Sequence, residues 1–203
     1  MIRNVIFDIG QVLMRFDWPG FIEAEVGSET GALLTEAMWN YGVWNELDRG
    51  VWSREELLAG FAAHAPGYEK EIRQVYEHVG RACARHDYAI PWLREMKEAG
   101  YHVFYLSNYS HYMMDEAPQV LDFLPLMEGG IFSCDVHFCK PDRRIYECLC
   151  ERYGLIPEEC YFIDDNGDNI RAAVEYGMHG SVFESYVKDH DRILNELRTI
   201  QQD

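Results

Sequence analysis

Asp8 is the acidic residue whose surroundings in the sequence point most clearly to chemistry. It follows the apolar run Val5-Ile6-Phe7, which is typical of a buried strand, and Gly10 two residues later allows the chain to turn. Open α/β sheets bind their ligands at the carboxyl ends of such strands. A carboxylate in that position can act as a nucleophile or bind a metal ion, but it can also simply cap a turn. Which of these functions Asp8 has depends on the other polar residues that lie near it in the fold.

Three further polar segments stand in comparable positions. Each directly follows an apolar run or lies at the predicted start of a helix: Ser107-Asn108, Lys140-Pro141 and Asp164-Asp165. They supply a hydroxyl, an amide, a cation and a pair of carboxylates. A helix N-cap is an alternative function for Ser107 and Asn108. The helix dipole disfavours a cation at the start of a helix, and this misfit favours a functional role for Lys140.

In their order along the chain, Asp8 and these three segments resemble the four motifs of the haloacid dehalogenase (HAD) superfamily, specifically those of its phosphatases. The resemblance implies that Asp8 attacks phosphorus and forms an aspartyl-phosphate, which water then hydrolyses. It also implies that Lys140 neutralises charge on Asp8 and the phosphate. Ser107 and Asn108 would donate hydrogen bonds to phosphate oxygens.

The same resemblance implies a magnesium site. Its ligands would be the carboxylate of Asp8, the main-chain carbonyl of Gly10 and the pair Asp164 and Asp165, with Asp165 binding directly and Asp164 directly or through water. Mg²⁺ prefers a few carboxylates together with water and phosphate oxygens. Two adjacent acids at a strand end could instead cap the next helix, but like charges in a crevice are costly unless a cation lies there. We therefore expect Mg²⁺ as the cofactor.

Gly10 is the position at which the chain departs from the usual phosphatase pattern. The first motif is ordinarily Asp-x-Asp, and its second Asp protonates the leaving oxygen and then activates water. Losing a positioned proton donor typically costs about 10²–10⁴ in rate. One interpretation is a phosphatase for an easier leaving group, because an anomeric sugar oxygen needs less proton assistance. Asp17, in the short hairpin or flap expected after the first strand, could partly replace the missing acid.

The glucose-1-phosphatase-like branch of the superfamily resembles the chain at this point, through its Asp-x-Gly-Asn/Gln-Val first motif. The resemblance to that branch continues at Arg143-x-Ile145-Tyr146 and at Asp164-Asp165-Asn166-x-Asp168-Asn169. It implies a Mg²⁺-dependent hydrolase of a small phosphomonoester, with a sugar phosphate as the expected substrate.

Two other interpretations stay open. A metal-independent haloacid dehalogenase also lacks the second Asp, because halide leaves without a proton, but its fourth motif does not keep the pair Asp164 and Asp165. A catalytically silent HAD-like protein would bind a partner instead, although the joint presence of that pair with Asp8 and Lys140 argues against a loss of activity.

The segments that must position these residues alternate between predicted strands and predicted helices. This alternation indicates an α/β fold, with a Rossmann-like (HAD-like) parallel sheet, helices on both faces and an inserted small helical cap. The resemblance covers residues 1–14 and about 88–185. The predicted domains are a core at 1–14 and 88–203 and a cap at 15–87. Further strands are predicted at 102–106, 130–133, 160–163 and 181–183. Helices are predicted near 110–121, 141–153, 168–176 and 189–200, and the segment 21–85 has a helical pattern without a convincing strand.

The cap would determine which substrate enters. Its aromatic residues are expected to stack on a sugar face and its polar residues to bind hydroxyls, and the candidates are Trp18, Trp39, Trp44, Glu46, Asp48 and Arg49.

The composition sets outer limits on function. The 203 residues, 48% of them hydrophobic, suit one domain with a modest insertion and a real core. The net charge of −17 argues against nucleic acid and membrane partners, because both attract basic surfaces. The six cysteines form no Cys-x-x-Cys pair and no signal sequence precedes them, which indicates reduced thiols and a cytoplasmic protein. The expected ligand is a small phosphorylated metabolite, and the expected state is a monomer or homodimer.

Overall fold

The computed structural model describes residues 1–201, in which strands and helices alternate. The strands are β1 (Asn4–Phe7), β2 (Met14–Phe16), β3 (Cys83–Arg85), β4 (His102–Ser107), β5 (Gly129–Phe132), β6 (Cys160–Asp164) and β7 (His179–Val182). The α-helices are α1 (Trp18–Val26), α2 (Ser28–Trp39), α3 (Val43–Arg49), α4 (Arg54–Ala62), α5 (Glu69–Glu77), α6 (Ala89–Glu98), α7 (His111–Glu116), α8 (Ser133–Val136), α9 (Arg143–Tyr153), α10 (Gly167–Tyr176) and α11 (Tyr186–Ile200).

Five strands form a parallel sheet in the order β5-β4-β1-β6-β7. β1 lies in the middle, with Phe7 level with Tyr105 of β4 on one side and with Ile163 of β6 on the other. The connections run outward from β1 in both directions, and such a reversal opens a crevice at the carboxyl ends of the central strands. The predicted α/β class with a parallel sheet is confirmed.

Alternate residues of β1 face two separate hydrophobic cores. Val5 and Phe7 belong to the core that contains Trp92 of α6, and the ring centroids of Phe7 and Trp92 lie 4.8 Å apart. Ile6 belongs to the other core, together with Ile145 of α9. A strand that is buried on both faces has to be apolar at every position, which explains the unbroken apolar run before Asp8.

The helices α1 to α5 lie between β2 and β3 in the chain. These two strands pair antiparallel, with Phe16 opposite Cys83. The prediction that 21–85 contains no strand is therefore wrong for its last three residues. A strand of three residues carries too little periodicity to be recognised, and its partner lies far away in the sequence. The division into a core and a cap at 15–87 stays a prediction.

Two helices differ from the predicted ranges for local reasons. The helix predicted near 110–121 ends at Glu116, and a 3₁₀ helix follows from Pro118, because proline lacks the N–H that a continuing α-helix requires. α9 begins at Arg143 rather than at 141, because the side chain of Asp142 caps it by accepting from the Arg144 N–H at 3.0 Å.

The remaining differences are shifts of one or a few residues at element ends. The strands predicted at 130–133 and 181–183 lie at 129–132 and 179–182, and the last helix begins at 186 rather than at 189. None of the helices described in residues 1–201 has the length and apolar content of a membrane-spanning segment.

Candidate active site

Asp8 lies directly after β1 at the carboxyl edge of the sheet. Its main-chain N–H donates to the carbonyl of Ile163 at 2.8 Å, and its Oδ1 accepts from the Ile9 N–H at 2.7 Å. The residue is only 6% exposed, so its carboxylate has a fixed orientation. Burial raises the pKa of Asp8 to about 7, against the opposing effect of the Lys140 ammonium, and Asp164 adds to the increase.

The Lys140 ammonium lies between two carboxylates. Its Nζ is 2.9 Å from Oδ1 of Asp8 and 2.6 Å from Oδ2 of Asp164. The Lys140 side chain is 1% exposed. Burial lowers the Lys140 pKa, but the two carboxylates raise it more, so the pKa lies above its ordinary value and the amine is charged.

Asn108 fixes the main chain of Lys140. The Asn108 Oδ1 accepts from the Lys140 N–H at 2.8 Å, and the Asn108 Nδ2 donates to the Lys140 carbonyl at 3.1 Å. This pair of bonds joins the end of β4 to the loop before α9. Nδ2 has a second N–H, and Asn108 borders the cavity described below. The helix N-cap alternative for Ser107 and Asn108 is wrong, since Ser110 caps α7.

Asp164 and Asp165 have different surroundings. Asp164 is fully buried and accepts from the Asn166 N–H at 2.8 Å and from Nδ2 of Asn169 at 3.0 and 3.1 Å. Asp165 is exposed to solvent on one side. The burial of the rest of its carboxyl group and the Asp164 charge raise its pKa, against the lowering effect of Lys140. Neither acid caps α10, whose N-cap is Asn166. The helix-capping alternative for the acidic pair is therefore wrong.

The carboxylates of three of the four predicted metal-binding residues lie close together. Oxygen atoms of Asp8, Asp164 and Asp165 lie within 4.8 Å of one another. Gly10 borders the same cavity as Asp8 and Asp165. Lys140 alone cannot balance three carboxylates, and oxygen ligands are those that Mg²⁺ prefers. The residues present therefore fit a divalent cation, and their assignment as its ligands stays a prediction.

Ser107 offers an unused hydroxyl at the end of β4. The residue is 1% exposed, and within residues 1–201 its Oγ has no hydrogen-bond partner. A buried hydroxyl without a partner costs free energy, which a bound ligand oxygen would recover. This observation is compatible with the predicted contact between Ser107 and phosphate.

A cavity of about 270 Å³ opens at this edge of the sheet. Its polar side is formed by Asp8, Gly10, Gln11, Asp48, Asn108 and Asp165, and its apolar wall by Met14, Phe16, Trp39, Trp44, Leu47, Tyr109 and Met113. The ring centroids of Trp39 and Trp44 are 6.0 Å apart, so the wall contains a connected aromatic surface.

The structure separates the predicted cap candidates. Trp39, Trp44 and Asp48 line the cavity, whereas Trp18 is 3% exposed and packs beneath Trp44 with ring centroids 4.7 Å apart. Glu46 and Arg49 form an ion pair beside a second, polar cavity.

Asp17, the predicted substitute acid, does not line the cavity. It is exposed, and its side chain accepts from the Gly20 N–H at 3.1 Å as the N-cap of α1. It therefore has the turn and capping function that is common for aspartate in such positions.

Several residues of the site carried no recognisable signal in the sequence. Ser133 was expected at the end of a strand, but its Oγ donates to the Asp48 carbonyl at 2.6 Å and accepts from the Tyr109 N–H at 2.9 Å. Met14 and Phe16 of β2, which pairs with β3, also line the cavity. These contacts depend on the packing of distant segments, which no local pattern records.

The haloacid dehalogenase-like hydrolase family matches residues 2–177 of the chain. The chain belongs to the haloacid dehalogenase-like hydrolases. This match confirms the predicted superfamily and the prediction that the chain is a hydrolase.

Three relatives illustrate the range of this similarity. A mouse protein, Acyl-CoA dehydrogenase family member 10, is 32% identical over 87% of the HAD-like chain, which spans 17% of the mouse protein. A (S)-2-haloacid dehalogenase 4A of Burkholderia cepacia is 31% identical over 43% of the chain and 38% of the dehalogenase. A Mycobacterium tuberculosis phosphatase is 25% identical over 98% of the chain and 95% of the phosphatase. The chain thus spans less than two thirds of the first two relatives.

A solved structure shows the same fold. A HAD family enzyme of Bacteroides thetaiotaomicron, in complex with magnesium and inorganic phosphate, superposes with a TM-score of 0.73 at 22% identity. The superposition covers 91% of this chain and 95% of the other.

Proposed function

We propose that this HAD-like hydrolase is a Mg²⁺-dependent phosphatase that transfers the phosphoryl group of a small phosphomonoester first to Asp8 and then to water. The observation that supports it most is the convergence of Asp8, Lys140, Asp164 and Asp165 at one edge of the sheet. A nucleophilic carboxylate and a phosphate repel each other, so a site for this reaction needs cations beside the nucleophile. The Lys140 ammonium is one such cation.

Each residue has a defined task in this proposal. Asp8 is the nucleophile, and its orientation is set by its hydrogen bond from Ile9. Lys140 neutralises negative charge on the approaching phosphate, while Ser107 and Asn108 donate hydrogen bonds to the phosphate oxygens. The Asp8 carboxylate, the Gly10 carbonyl, Asp164 and Asp165 would hold the Mg²⁺ ion. When bound, this ion supplies further positive charge against the phosphate oxygens.

The expected substrate class is a sugar phosphate, following the resemblance to the glucose-1-phosphatase-like branch. The cavity volume of about 270 Å³ suits a small ester. Trp39 and Trp44 offer ring faces on which the apolar face of a sugar can stack. Because the same wall would also pack against an apolar alcohol, the substrate panel includes aryl and isoprenoid phosphates beside sugar and polyol phosphates.

A haloacid dehalogenase is the second candidate, because Gly10 leaves the first motif without an acid and a dehalogenase is among the relatives. Its chemistry requires no cation beyond the lysine. Asp164 would still pair with Lys140, but the carboxylate of Asp165 then has no function, which favours the phosphatase.

The decisive experiment measures phosphate release from the panel with and without Mg²⁺. The phosphatase predicts release only with Mg²⁺, and none from Asp8→Asn. Asp87→Asn, which changes an exposed aspartate outside the cavity, is the matched control and keeps its activity. Halide release from 2-haloacids without Mg²⁺ would instead support the dehalogenase. If the folded protein had neither activity, the result would support a catalytically silent HAD-like protein that binds a partner.

A further inference from the structure

The cavity contains a carboxyl group that the proposed function does not use. Asp48, the next-to-last residue of α3, borders the cavity together with Asp8 and Asp165. Among the lining residues, Asp8 is the nucleophile and Asp165 a metal ligand in the proposal. The Tyr109 hydroxyl donates to the sulfur of Met14 at 3.7 Å, and burial raises its pKa, so it is a weaker proton donor than a carboxyl group. Asp48 is the titratable lining residue that remains.

The end of α3 is fixed to the core beside the site. The Asp48 carbonyl accepts from Ser133 Oγ at 2.6 Å. The next residue is held by two reciprocal contacts: Arg49 Nε donates to the His137 carbonyl at 3.2 Å, and the Arg49 carbonyl lies 2.7 Å from Nδ1 of His137. These contacts use the main-chain carbonyls of Asp48, Arg49 and His137. They therefore fix the position of the Asp48 main chain, from which its side chain extends, relative to the core.

The electrostatic surroundings of Asp48 suit a proton donor. Burial raises the pKa of Asp48 to about 7; the Lys140 charge lowers it and the Asp8 charge raises it further. Within residues 1–201 no hydrogen bond or ion pair engages its carboxyl group, which is therefore free to meet a ligand. The other titratable groups that interact with the Asp48 charge, apart from Lys140 and Asp8, are Tyr109, Cys134 and Cys139. General acids work best when their pKa lies near the operating pH.

We infer that Asp48 supplies the proton donor that the first motif lacks, an inference that rests on the proposed phosphatase function. In the first step a bond forms between an Asp8 carboxylate oxygen and phosphorus, and the bond from phosphorus to the ester oxygen breaks. The proton of the Asp48 carboxyl group passes to that oxygen, which leaves as the alcohol. In the second step water attacks the phosphorus of the aspartyl-phosphate, Asp48 takes up a proton of the water, and phosphate and the Asp8 carboxylate are released.

Two esters with different leaving groups test this role. An alkyl phosphate needs a proton on its leaving oxygen, whereas 4-nitrophenyl phosphate releases a stable anion. For Asp48→Asn, the rate of the first step, measured by rapid quench, falls by about 10²–10⁴ with the alkyl phosphate that the unaltered protein hydrolyses fastest. With 4-nitrophenyl phosphate it changes by less than about tenfold. Phosphoenzyme then accumulates, because the second step has lost its base.

A rescue variant separates proton transfer from a structural effect. A Cβ at Gly10 would meet no atom within 4 Å other than those of Gly10 and its two chain neighbours, so the position has room for the start of a side chain. Gly10→Asp in the Asp48→Asn background introduces the acid of the usual first motif. We expect it to recover most of the lost rate with the alkyl phosphate.

The control is Asp17→Asn, which changes an exposed acid and keeps a side chain that caps helices well, so both esters react as before. An equal loss with both esters in Asp48→Asn, no loss with either, or no recovery by Gly10→Asp would overturn the role of Asp48. If the unaltered protein formed no phosphoenzyme with any ester, the proposed function itself would have failed.

Discussion

The Nζ of Lys140 lies 2.9 Å from Oδ1 of Asp8, although the two residues are far apart in the sequence. The Lys140 ammonium also contacts Asp164 at 2.6 Å, so one buried cation serves two buried carboxylates. Asp165 adds a third carboxylate within reach of the same point. The centre carries an excess of negative charge in the absence of a ligand, and it can accept either a divalent cation or protons.

Lys140 is expected to stabilise the fold mainly by compensating Asp8 and Asp164. Removing one member of a buried ion pair typically costs about 3–5 kcal/mol, because a charge stays buried without a partner. Lys140→Met should lower the free energy of unfolding by that amount in urea titrations without Mg²⁺. Adding Asp8→Asn to this variant should return part of the loss, because one of the two uncompensated charges disappears.

The matched control for this cycle is Lys70→Met on α5, since Lys70 is exposed and borders none of these carboxylates. Its effect should be within about 0.5 kcal/mol. If Asp8→Asn deepened the loss caused by Lys140→Met, the two side chains would not be coupled as the structure indicates.

Mg²⁺ is expected to stabilise the protein through Asp165. A ligand that binds the folded state at a concentration 100 times its dissociation constant adds about 2.7 kcal/mol, which raises the melting temperature by several degrees. Differential scanning fluorimetry should show this increase for the unaltered protein and a much smaller one for Asp165→Asn. Asp168→Asn changes a nearby exposed acid and should behave like the unaltered protein. Equal Mg²⁺ responses in all three proteins would contradict the assigned ligands.

Trp39 is expected to act on substrate binding rather than on chemistry. It is 48% exposed and borders the cavity, so its removal disturbs the core little while taking away a stacking surface. Trp39→Ala should raise KM by about fivefold to tenfold and leave kcat nearly unchanged. Trp52→Ala removes a tryptophan of similar exposure, 40%, that does not border the cavity, and should change neither constant. A fall in kcat with unchanged KM would assign Trp39 a different function.

Asp189 organises the start of α11. Its Oδ2 accepts from the N–H groups of Glu184 at 2.6 Å and Ser185 at 3.0 Å, and Arg192 lies 2.8 Å from its Oδ1. Burial raises the Asp189 pKa, but these donors lower it more, so the pKa of the folded state lies below the ordinary value. A lowered pKa contributes stability above the pKa of the unfolded chain, about 3.9, and this contribution is lost as the pH falls through the folded pKa.

Asp189→Asn should therefore lower the free energy of unfolding by about 1–3 kcal/mol near neutral pH, and by less as the pH falls below about 4. Urea titrations across this range measure the difference. Asp191→Asn is the control, because the Asp191 side chain is 93% exposed. A loss that stays constant over the whole pH range would show that the charge of Asp189 is not responsible.

The sheet and the central charged residues could be predicted because their signals are local. Asp8 and Asp164 follow apolar runs, and parallel strands bring such positions to one edge. Lys140 stood out because a cation at a helix start is electrostatically unfavourable, although α9 in fact begins three residues later. Each of these signals lies within a short stretch of sequence.

The apolar wall and the place of Asp48 could not be predicted in the same way. Asp48 was predicted only as one of several cap residues that could bind substrate hydroxyls, and not as an acid. Its position at the cavity follows from the contacts of α3 with Ser133 and His137, which join distant parts of the chain. Likewise, Asn108 Nδ2 donates to the Lys140 carbonyl and Asn108 Oδ1 accepts from the Lys140 N–H, contacts for which the sequence contains no periodic signal.

The most direct test of the account is to look for a phosphoryl group on Asp8. The protein is mixed with the best ester of the panel and Mg²⁺, quenched in acid within one turnover, and its peptides are weighed by mass spectrometry. We predict a phosphorylated peptide containing Asp8 that requires Mg²⁺ and is absent from Asp8→Asn. Phosphate release by the active protein without any label on Asp8, or undiminished release by Asp8→Asn, would contradict the account.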